Sequence, residues 1–301
     1  MSLLKLWFRA ARPWSYPASI IPVSLGTMLA ASHGFFDLLL FLLTLTGGVL
    51  IHTATNLFND YYDFLYGVDT PDSYSSGSVL VKGLMPPGRL LTGAAVTVLL
   101  VMPIGLYLIM ARGPVLLILG ILGILAGYFY TARPIAYKYR GIGVPAVFFL
   151  MGPLMVIGAY YVQAASYNAA VFLASLPVGA MVGAILYANE FRDIKHDSRY
   201  GIVNPSILLG RKKARFLYYL LVIGAYILII IMVLGKLLSG WALLTLLTLP
   251  VALKPMRVME ETAQGKESPQ LPYIDVFTAQ LHLQFGLLLI CGVFLGFFIS
   301  I

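Results

Sequence analysis

The sequence predicts an all-α, polytopic membrane protein, and three observations lead to this fold class. Hydrophobic residues make up 60% of the 301 residues and charged residues only 11%, whereas charged residues are about 25% of an average soluble domain. Nine separate segments are long and apolar enough to cross a bilayer. Lys and Arg residues fall between these segments rather than on one basic face. We therefore expect residues 1–301 to form one integral-membrane domain, and no nucleic-acid partner is expected.

The predicted spans follow from the thickness of the bilayer. A hydrocarbon core of about 30 Å needs about 20 apolar residues, since a helix rises about 1.5 Å per residue. The amphipathic residues 1–14 lead into the first span, which is interpreted as a mature helix and not a cleaved signal peptide. The nine predicted spans are residues 15–32, 38–59, 90–111, 114–131, 143–163, 168–190, 215–235, 238–256 and 280–301.

The charged residues predict the orientation of these spans. With nine spans, the loops divide into two sets, and only Arg112 and Lys236 of the twenty Lys and Arg residues fall in one of them. Asp37 is the single acid of twelve on that side. Because loops rich in Lys and Arg stay in the cytoplasm, we predict a multi-pass protein of the cell membrane whose N-terminus and long loops are cytoplasmic.

Polar stripes end two of the predicted spans. At the end of the second span, Asn56, Asn59, Asp60 and Asp63 are spaced i, i+3, i+4 and i+7, so their side chains share one helix face. At the end of the sixth span, a ladder with i, i+4, i+8 spacing carries one amide and two acids: Asn189, Asp193 and Asp197. The four-span separation predicts two four-helix pseudo-repeats plus one extra helix, a symmetry that would bring the stripes face to face.

The stripes favour a magnesium and phosphate site. Crowded carboxylates at a membrane boundary are unfavourable unless a cation or their own protonation relieves them. Carboxylate and amide oxygens are the ligands that Mg²⁺ prefers, and Mg²⁺ commonly binds phosphate oxygens as well. Three basic residues lie near the stripes in the sequence and are candidates for binding phosphate: Lys82, Arg133 and Lys138. Ordinary positive-inside anchoring is an equal alternative for these three residues.

These residues resemble the UbiA superfamily of intramembrane prenyltransferases, whose members carry two Asp-rich motifs on the second and sixth of nine helices. Within it the sequence is most similar to the MenA branch, which prenylates 1,4-dihydroxy-2-naphthoate in menaquinone synthesis. The segments that carry the resemblance are Arg12–Pro17, Asn59–Asp63 with Gly67–Asp69, Tyr130–Pro134 and Asn189–Asp193. The first motif closes at Asp69, ten residues after Asn59, whereas many hydroxybenzoate-type members close after eight.

The resemblance implies Mg²⁺-dependent transfer of a polyprenyl group from a prenyl diphosphate to an aromatic acceptor. The implied metal ligands are Asn59, Asp63, Asn189, Asp193 and Asp197. The implied catalytic residues are Asp63 and Asp193, with Lys82, Arg133 and Lys138 for the phosphate charge and Tyr130 beside a developing allylic cation. The implied substrate-binding residues are Arg12, Asn56, Asp60 and Tyr137. Glu190 stands where Asp or Asn is frequent and lies off the ligand face, so it is not assigned to the metal.

Two alternatives stay open. A member of the same superfamily could prenylate a hydroxybenzoate or a glycerol-phosphate lipid. A cation or metabolite transporter also carries intramembrane acids and repeated helices, but its site is usually near the midplane, whereas both stripes end at the cytoplasmic boundary. Asp72 and the serine-rich residues 73–78 are hypothesised to form a loop that folds over bound substrate.

Overall fold

The computed structural model describes residues 2–71, 73–74, 79–266 and 268–299, and these residues form an all-α fold. The predicted loop over the substrate falls largely outside them, since Asp72 and residues 75–78 are not described. The helices are α1 (Leu3–Ala11), α2 (Pro17–Ser32), α3 (Leu38–Leu65), α4 (Pro87–Arg112), α5 (Val115–Phe129), α6 (Gly143–Phe149), α7 (Met155–Ala164), α8 (Ala169–Asp197), α9 (Pro205–Leu234), α10 (Leu249–Ala263) and α11 (Ile274–Phe298).

Every predicted span coincides with a helix of the described chain. Seven segments are long and apolar enough to cross a membrane: Leu38–Leu65, Pro87–Arg112, Gly143–Ala164, Ala169–Tyr200, Pro205–Leu234, Gly240–Ala263 and Leu271–Phe298. The multi-pass membrane fold is thereby confirmed. The other two predicted spans are shorter apolar helices, α2 with 16 residues and α5 with 15. The count of nine spans and the pseudo-repeat arrangement stay predictions.

Two of the helices that extend past their predicted ends carry the polar stripes. α3 continues from residue 59 to Leu65, and α8 continues from residue 190 to Asp197. The extra turns carry polar residues of the two stripes. A span predicted from apolar length ends too early there, because the polar residues interrupt the apolar segment. Both stripes are therefore helical along most of their length, so their side chains are held by regular backbone hydrogen bonds.

The short helix α1 lies against α3 and α4. Leu6 and Ala10 are buried against residues of α3 and α4, while Leu4 and Phe8 on its other face are exposed. One face of α1 therefore packs against α3 and α4, and its opposite face is apolar and exposed. The chain then turns at Arg12, whose φ of 53° places it in the left-handed region.

The centre of the bundle is α8, which contacts α2, α6, α7, α9 and α11. Its approach to the preceding span is very close at two glycines. A Cβ on Gly179 would lie 2.6 Å from the carbonyl oxygen of Phe148, and a Cβ on Gly152 would lie 2.5 Å from the Cα of Gly179. Backbone atoms occupy both places, so neither side can yield by moving a side chain.

We expect Gly179→Ala to lower the melting temperature of the purified protein by several degrees. The added methyl overpacks a backbone contact, which typically costs about 1–3 kcal/mol. Gly224→Ala is the matched control, because Gly224 lies within α9 and has no atom within 4 Å of an added Cβ. That control is expected to be neutral or stabilising, since Ala is the better helix former. Equal melting temperatures for the Gly179 variant and the native chain would contradict the close contact.

Candidate active site

The two polar helix ends meet at the loop that follows α5. The Lys138 ammonium donates hydrogen bonds to Asn59 Oδ1 at 3.0 Å and to Asp63 Oδ2 at 2.6 Å. Lys138 also lies close enough to Asp197 to interact electrostatically with it. A second link is made by Thr70, whose hydroxyl lies 3.2 Å from the Nε2 atom of His196 on α8. Asp63 and Asp197, which are 134 positions apart in the chain, thus both lie near one ammonium group.

The electrostatic balance at Lys138 keeps it charged. Burial alone would lower the pKa of Lys138, but the Asp63 carboxylate together with Tyr139 and Tyr130 more than offsets this effect, so its pKa is raised well above the ordinary value. Tyr139 donates a second hydrogen bond to Asp63, at its Oδ1 atom. Both oxygens of this buried carboxylate therefore have a donor.

Arg12 is the counter-charge of Asp60, as Lys138 is the counter-charge of Asp63. The two side chains form an ion pair in which Asp60 is 3% exposed, although the other carboxylate oxygen of Asp60 is buried without a partner in the described chain. Burial would lower the pKa of Arg12, and the carboxylates of Asp60, Asp69 and Asp63 raise it above its usual value. This pairing counters the cost of the left-handed backbone at Arg12, which is of order 1–3 kcal/mol.

The second stripe is held by a different cation. Arg192 donates to both oxygens of Asp193, at 2.9 and 2.8 Å, and forms a 2.8 Å ion pair with Asp275 at the start of α11. Asp197 accepts a 3.3 Å hydrogen bond from Asn204. The amide of Asn189, by contrast, donates back to the carbonyl of its own helix, at Ile185.

Three of the predicted residues lie at the rim or face another way. The Asn56 amide donates to the carbonyl of Ala11 at 3.0 Å and to Ser15 Oγ at 3.2 Å, so it fixes the turn after α1. The Arg133 guanidinium is exposed and stacks 4.6 Å above the ring of Tyr66. Lys82 is exposed and makes no hydrogen bond or ion pair with other described residues.

The two predicted tyrosines stand beside Lys138. The rings of Tyr130 and Tyr137 are 5.3 Å apart in an edge-to-face arrangement, and the Lys138 ammonium lies 5.8 Å from the centre of the Tyr130 ring. Burial raises the pKa of Tyr130 to about 12, with Lys138 opposing and Glu190 and Asp63 adding to the shift. The Tyr137 hydroxyl donates to the carbonyl of Ala126 at 2.9 Å, so its ring rather than its hydroxyl faces the site.

The residues of the two stripes fit magnesium by the chemistry of their donor atoms. They offer carboxylate and amide oxygens, which suit a hard cation, and Asp60 presents a buried oxygen that has no partner among the described residues. In the described part of the chain, no three His, Cys, Asp or Glu side chains are grouped as a metal site. Instead, nearby Lys and Arg side chains pair with the carboxylates, because a buried carboxylate needs a counter-charge.

The pattern of the sequence did not single out three residues of this arrangement. Tyr139 donates to Asp63, and Arg192 joins Asp193 to Asp275. Arg192 is adjacent to a predicted ligand and Tyr139 to a predicted cation, which is the only local signal for either. Asp275 is a single acid at a helix start, and nothing in the pattern connects it to α8.

An apolar cavity of about 600 Å³ opens between α5 and the α6–α7 segment. Phe129 and Tyr137 line one end of it, and the residues that follow them in the chain, Tyr130 and Lys138, belong to the polar site. Its walls are formed by aliphatic and aromatic side chains that include Leu122, Ala126, Phe149 and Leu154. The cavity therefore lies beside the polar site, with Tyr137 in its wall.

Comparisons with known proteins identify relatives of this chain in sequence and in fold. The sequence model of the UbiA prenyltransferase family matches residues 19–271. The chain is 32% identical to the 1,4-dihydroxy-2-naphthoate octaprenyltransferase of Bacillus subtilis (strain 168), over 99% of this chain and 94% of that protein. It is also 32% identical to the enzyme of the same name from Escherichia coli (strain K12), over 98% and 97%. A UbiA homolog from Archaeoglobus fulgidus bound to GPP and Mg²⁺ shares the fold, with a TM-score of 0.65 and 16% identity over 95% of this chain and 99% of that chain. The chain therefore belongs to the UbiA prenyltransferase family and is an intramembrane prenyltransferase.

Proposed function

We propose that this enzyme transfers a polyprenyl group from a polyprenyl diphosphate to 1,4-dihydroxy-2-naphthoate, in an Mg²⁺-dependent step of menaquinone biosynthesis at the cytoplasmic face of the cell membrane. The observation that carries the proposal is the meeting of two oxygen-rich helix ends around Lys138, next to an apolar cavity. Such a site combines groups for a charged diphosphate with room for an apolar chain. The naphthoate acceptor is supported by the two relatives of that name.

The proposed metal-binding residues are those with oxygen donors on the two stripes, namely Asn59, Asp63, Asn189, Asp193 and Asp197. Bound there, Mg²⁺ would neutralise charge on the diphosphate and improve it as a leaving group. Lys138 and Arg12 donate to phosphate oxygens from inside the site, and Arg133 and Lys82 do so from the rim. Asp60 and Asn56 keep Arg12 and the turn after α1 in position.

In the proposed reaction, the allylic C–O bond breaks and its electron pair leaves with the diphosphate. The Tyr130 ring, already 5.8 Å from one cation, presents a negative π-face to the positive carbon that develops. A ring carbon of the acceptor forms the new C–C bond and releases its proton, and the carboxylate on the neighbouring carbon leaves as carbon dioxide while the electron pair left behind takes up a proton. The apolar surroundings keep water from capturing the allylic carbon.

We propose that the polyprenyl tail lies in the cavity between α5 and the α6–α7 segment. The cavity begins beside the tyrosines of the polar site, so the reactive end of the donor and its tail are continuous. Its walls are almost wholly apolar, which suits a hydrocarbon chain and offers nothing to the charged end. Transfer of such a chain from water is favourable by about 0.8 kcal/mol for each buried CH₂ group.

A bulky residue in the cavity is expected to discriminate against long donors. Leu122→Trp should lower kcat/KM for a long polyprenyl diphosphate by about tenfold, which corresponds to about 1.4 kcal/mol. For a five- or ten-carbon donor, kcat/KM should stay within about twofold, because only the long tail reaches the indole. Ile121→Trp is the matched control, since Ile121 is also exposed on α5 but does not line the cavity. Equal losses for short and long donors would contradict this path for the tail.

The proposed function is tested by a prenyl-transfer assay with the purified protein in bilayers. Three acceptors are compared, the dihydroxynaphthoate, a hydroxybenzoate and a glycerol-phosphate lipid, each with Mg²⁺ and with a chelator. We expect product with the naphthoate alone and only in the presence of Mg²⁺. Product with either other acceptor would reassign the substrate, and turnover under chelation would remove the metal. If no acceptor is prenylated, substrate-gated cation flux in the same vesicles would favour a transporter.

A further inference from the structure

Glu190 is a buried acid that the proposed roles leave unexplained. It is 7% exposed, and its Oε2 atom has no hydrogen-bond partner among the described residues. Leaving a carboxyl oxygen buried and unpaired is unfavourable, because it loses its hydrogen bonds to water and gains none from the protein. A fold retains such a group at little benefit to its own stability, so a ligand that supplies the missing donor is the simplest physical reason for it.

The carboxyl group of Glu190 faces the polar site. Its Oε1 atom lies beside Gly143 at the start of α6, 3.7 Å from where a Cβ would stand. It interacts electrostatically with Asp197 and Lys138 and also with Tyr130. Glu190 therefore approaches Lys138 and Tyr130 from α8, while Asn59 and Asp63 approach Lys138 from α3.

The chemistry of this position excludes one of the two substrates. A carboxyl group offers no positive charge to a diphosphate, so Glu190 is not assigned to the donor. The aromatic acceptor does carry suitable groups, since its ring hydroxyls are hydrogen-bond donors and a charge-assisted bond to a carboxylate is strong. Glu190 also lies off the face formed by residues 189, 193 and 197, which leaves its oxygens available for the acceptor.

We propose that Glu190 binds the aromatic acceptor by accepting a hydrogen bond from a ring hydroxyl and holds the ring against Tyr130. This inference rests on the proposed function. The site then distinguishes its two substrates by their hydrogen-bonding groups: cationic side chains bind the diphosphate, and this one acid accepts a hydrogen bond from the hydroxylated ring. Glu190 is thus a determinant of acceptor specificity, and it touches substrate.

The test combines Glu190→Gln with an acceptor whose hydroxyls are converted one at a time to methyl ethers. Gln keeps the shape of Glu but weakens the bond, so the KM for the native acceptor is expected to rise about tenfold, with the KM for the prenyl diphosphate unchanged. In the native enzyme, one of the two ethers should lose about tenfold in affinity. In Glu190→Gln that ether and the native acceptor should bind nearly equally, because the bond is already lost.

Equilibrium binding of the acceptor alone, without Mg²⁺ or donor, is a second measurement and should show the same loss. Glu261→Gln on α10 is the control for removal of one acid and is expected to leave both KM values unchanged. An unchanged acceptor KM in a folded Glu190→Gln variant, or an ether penalty that persists in it, would overturn the inference. These outcomes are distinguishable from failure of the proposed function, in which the native enzyme itself prenylates no aromatic acceptor.

Discussion

Asp63→Asn is expected to reduce prenyl transfer by about 10³-fold, the upper end of the effect of removing one preorganised electrostatic group from an active site. Asp63 is buried and joins α3 to Lys138 and Tyr139, and in the proposed function it is a metal ligand. The neutral amide has nearly the same volume, so the loss reports charge and not packing. Turnover in bilayers at saturating donor and Mg²⁺ measures the effect.

The matched control is Asp37→Asn at the other end of the same helix. Asp37 caps α3 by accepting a hydrogen bond from the backbone N–H of Leu40 at 3.0 Å, and an Asn side chain caps equally well. This variant removes the same charge from the same helix and is expected to retain full activity. If Asp63→Asn were folded and within tenfold of the native rate, Asp63 would not belong to the reacting site.

The second large effect is expected for Lys138→Met, which removes the ammonium group but keeps an unbranched apolar side chain. We expect kcat/KM for the prenyl diphosphate to fall by 10²–10³-fold, an order typical of the loss of one charge-stabilising group. The variant is also expected to melt at lower temperature, because breaking a buried ion pair leaves Asp63 uncompensated and typically costs about 3–5 kcal/mol. Steady-state kinetics and thermal unfolding in the same detergent measure the two effects.

Lys213→Met is the control for Lys138→Met, since Lys213 is exposed on α9 and has no part in the site. It should change neither rate nor melting temperature. The double variant Asp63→Asn with Lys138→Met is informative too, because both partners of the pair are then neutral. It should recover much of the lost stability and none of the lost activity. Recovery of activity would assign the pair a purely structural role.

The sequence predicts the positions of the polar stripes well because the signals for them are local. An i, i+3, i+4, i+7 spacing places Asn59 and Asp63 on one face whatever the rest of the chain does. The apolar length criterion likewise locates each span, and it underestimates α8 only where Asp193 and Asp197 extend the helix into polar sequence.

The partners of those side chains are not local and escaped prediction. Arg12 reaches Asp60 across 48 residues, and Arg192 pairs with Asp275 across helices that are far apart in the chain. A shared helix face also does not predict which side chains point into the site. Asn56 shares the face of Asp63, yet its amide fixes the turn after α1, because a face spans two turns of helix and only part of it points at one neighbour.

The outward apolar side of α1 has a consequence for how this enzyme is handled. Leu4 and Phe8 are exposed there, and such a helix rests at the boundary between headgroups and acyl chains. Arg12 directly follows this helix and pairs with Asp60, so we expect the depth of α1 in the membrane to affect the position of Arg12, which the proposed function assigns to phosphate binding. Solubilisation that removes the surrounding lipid should therefore abolish activity while the protein is still folded. Reconstitution into nanodiscs with anionic lipid should restore the activity.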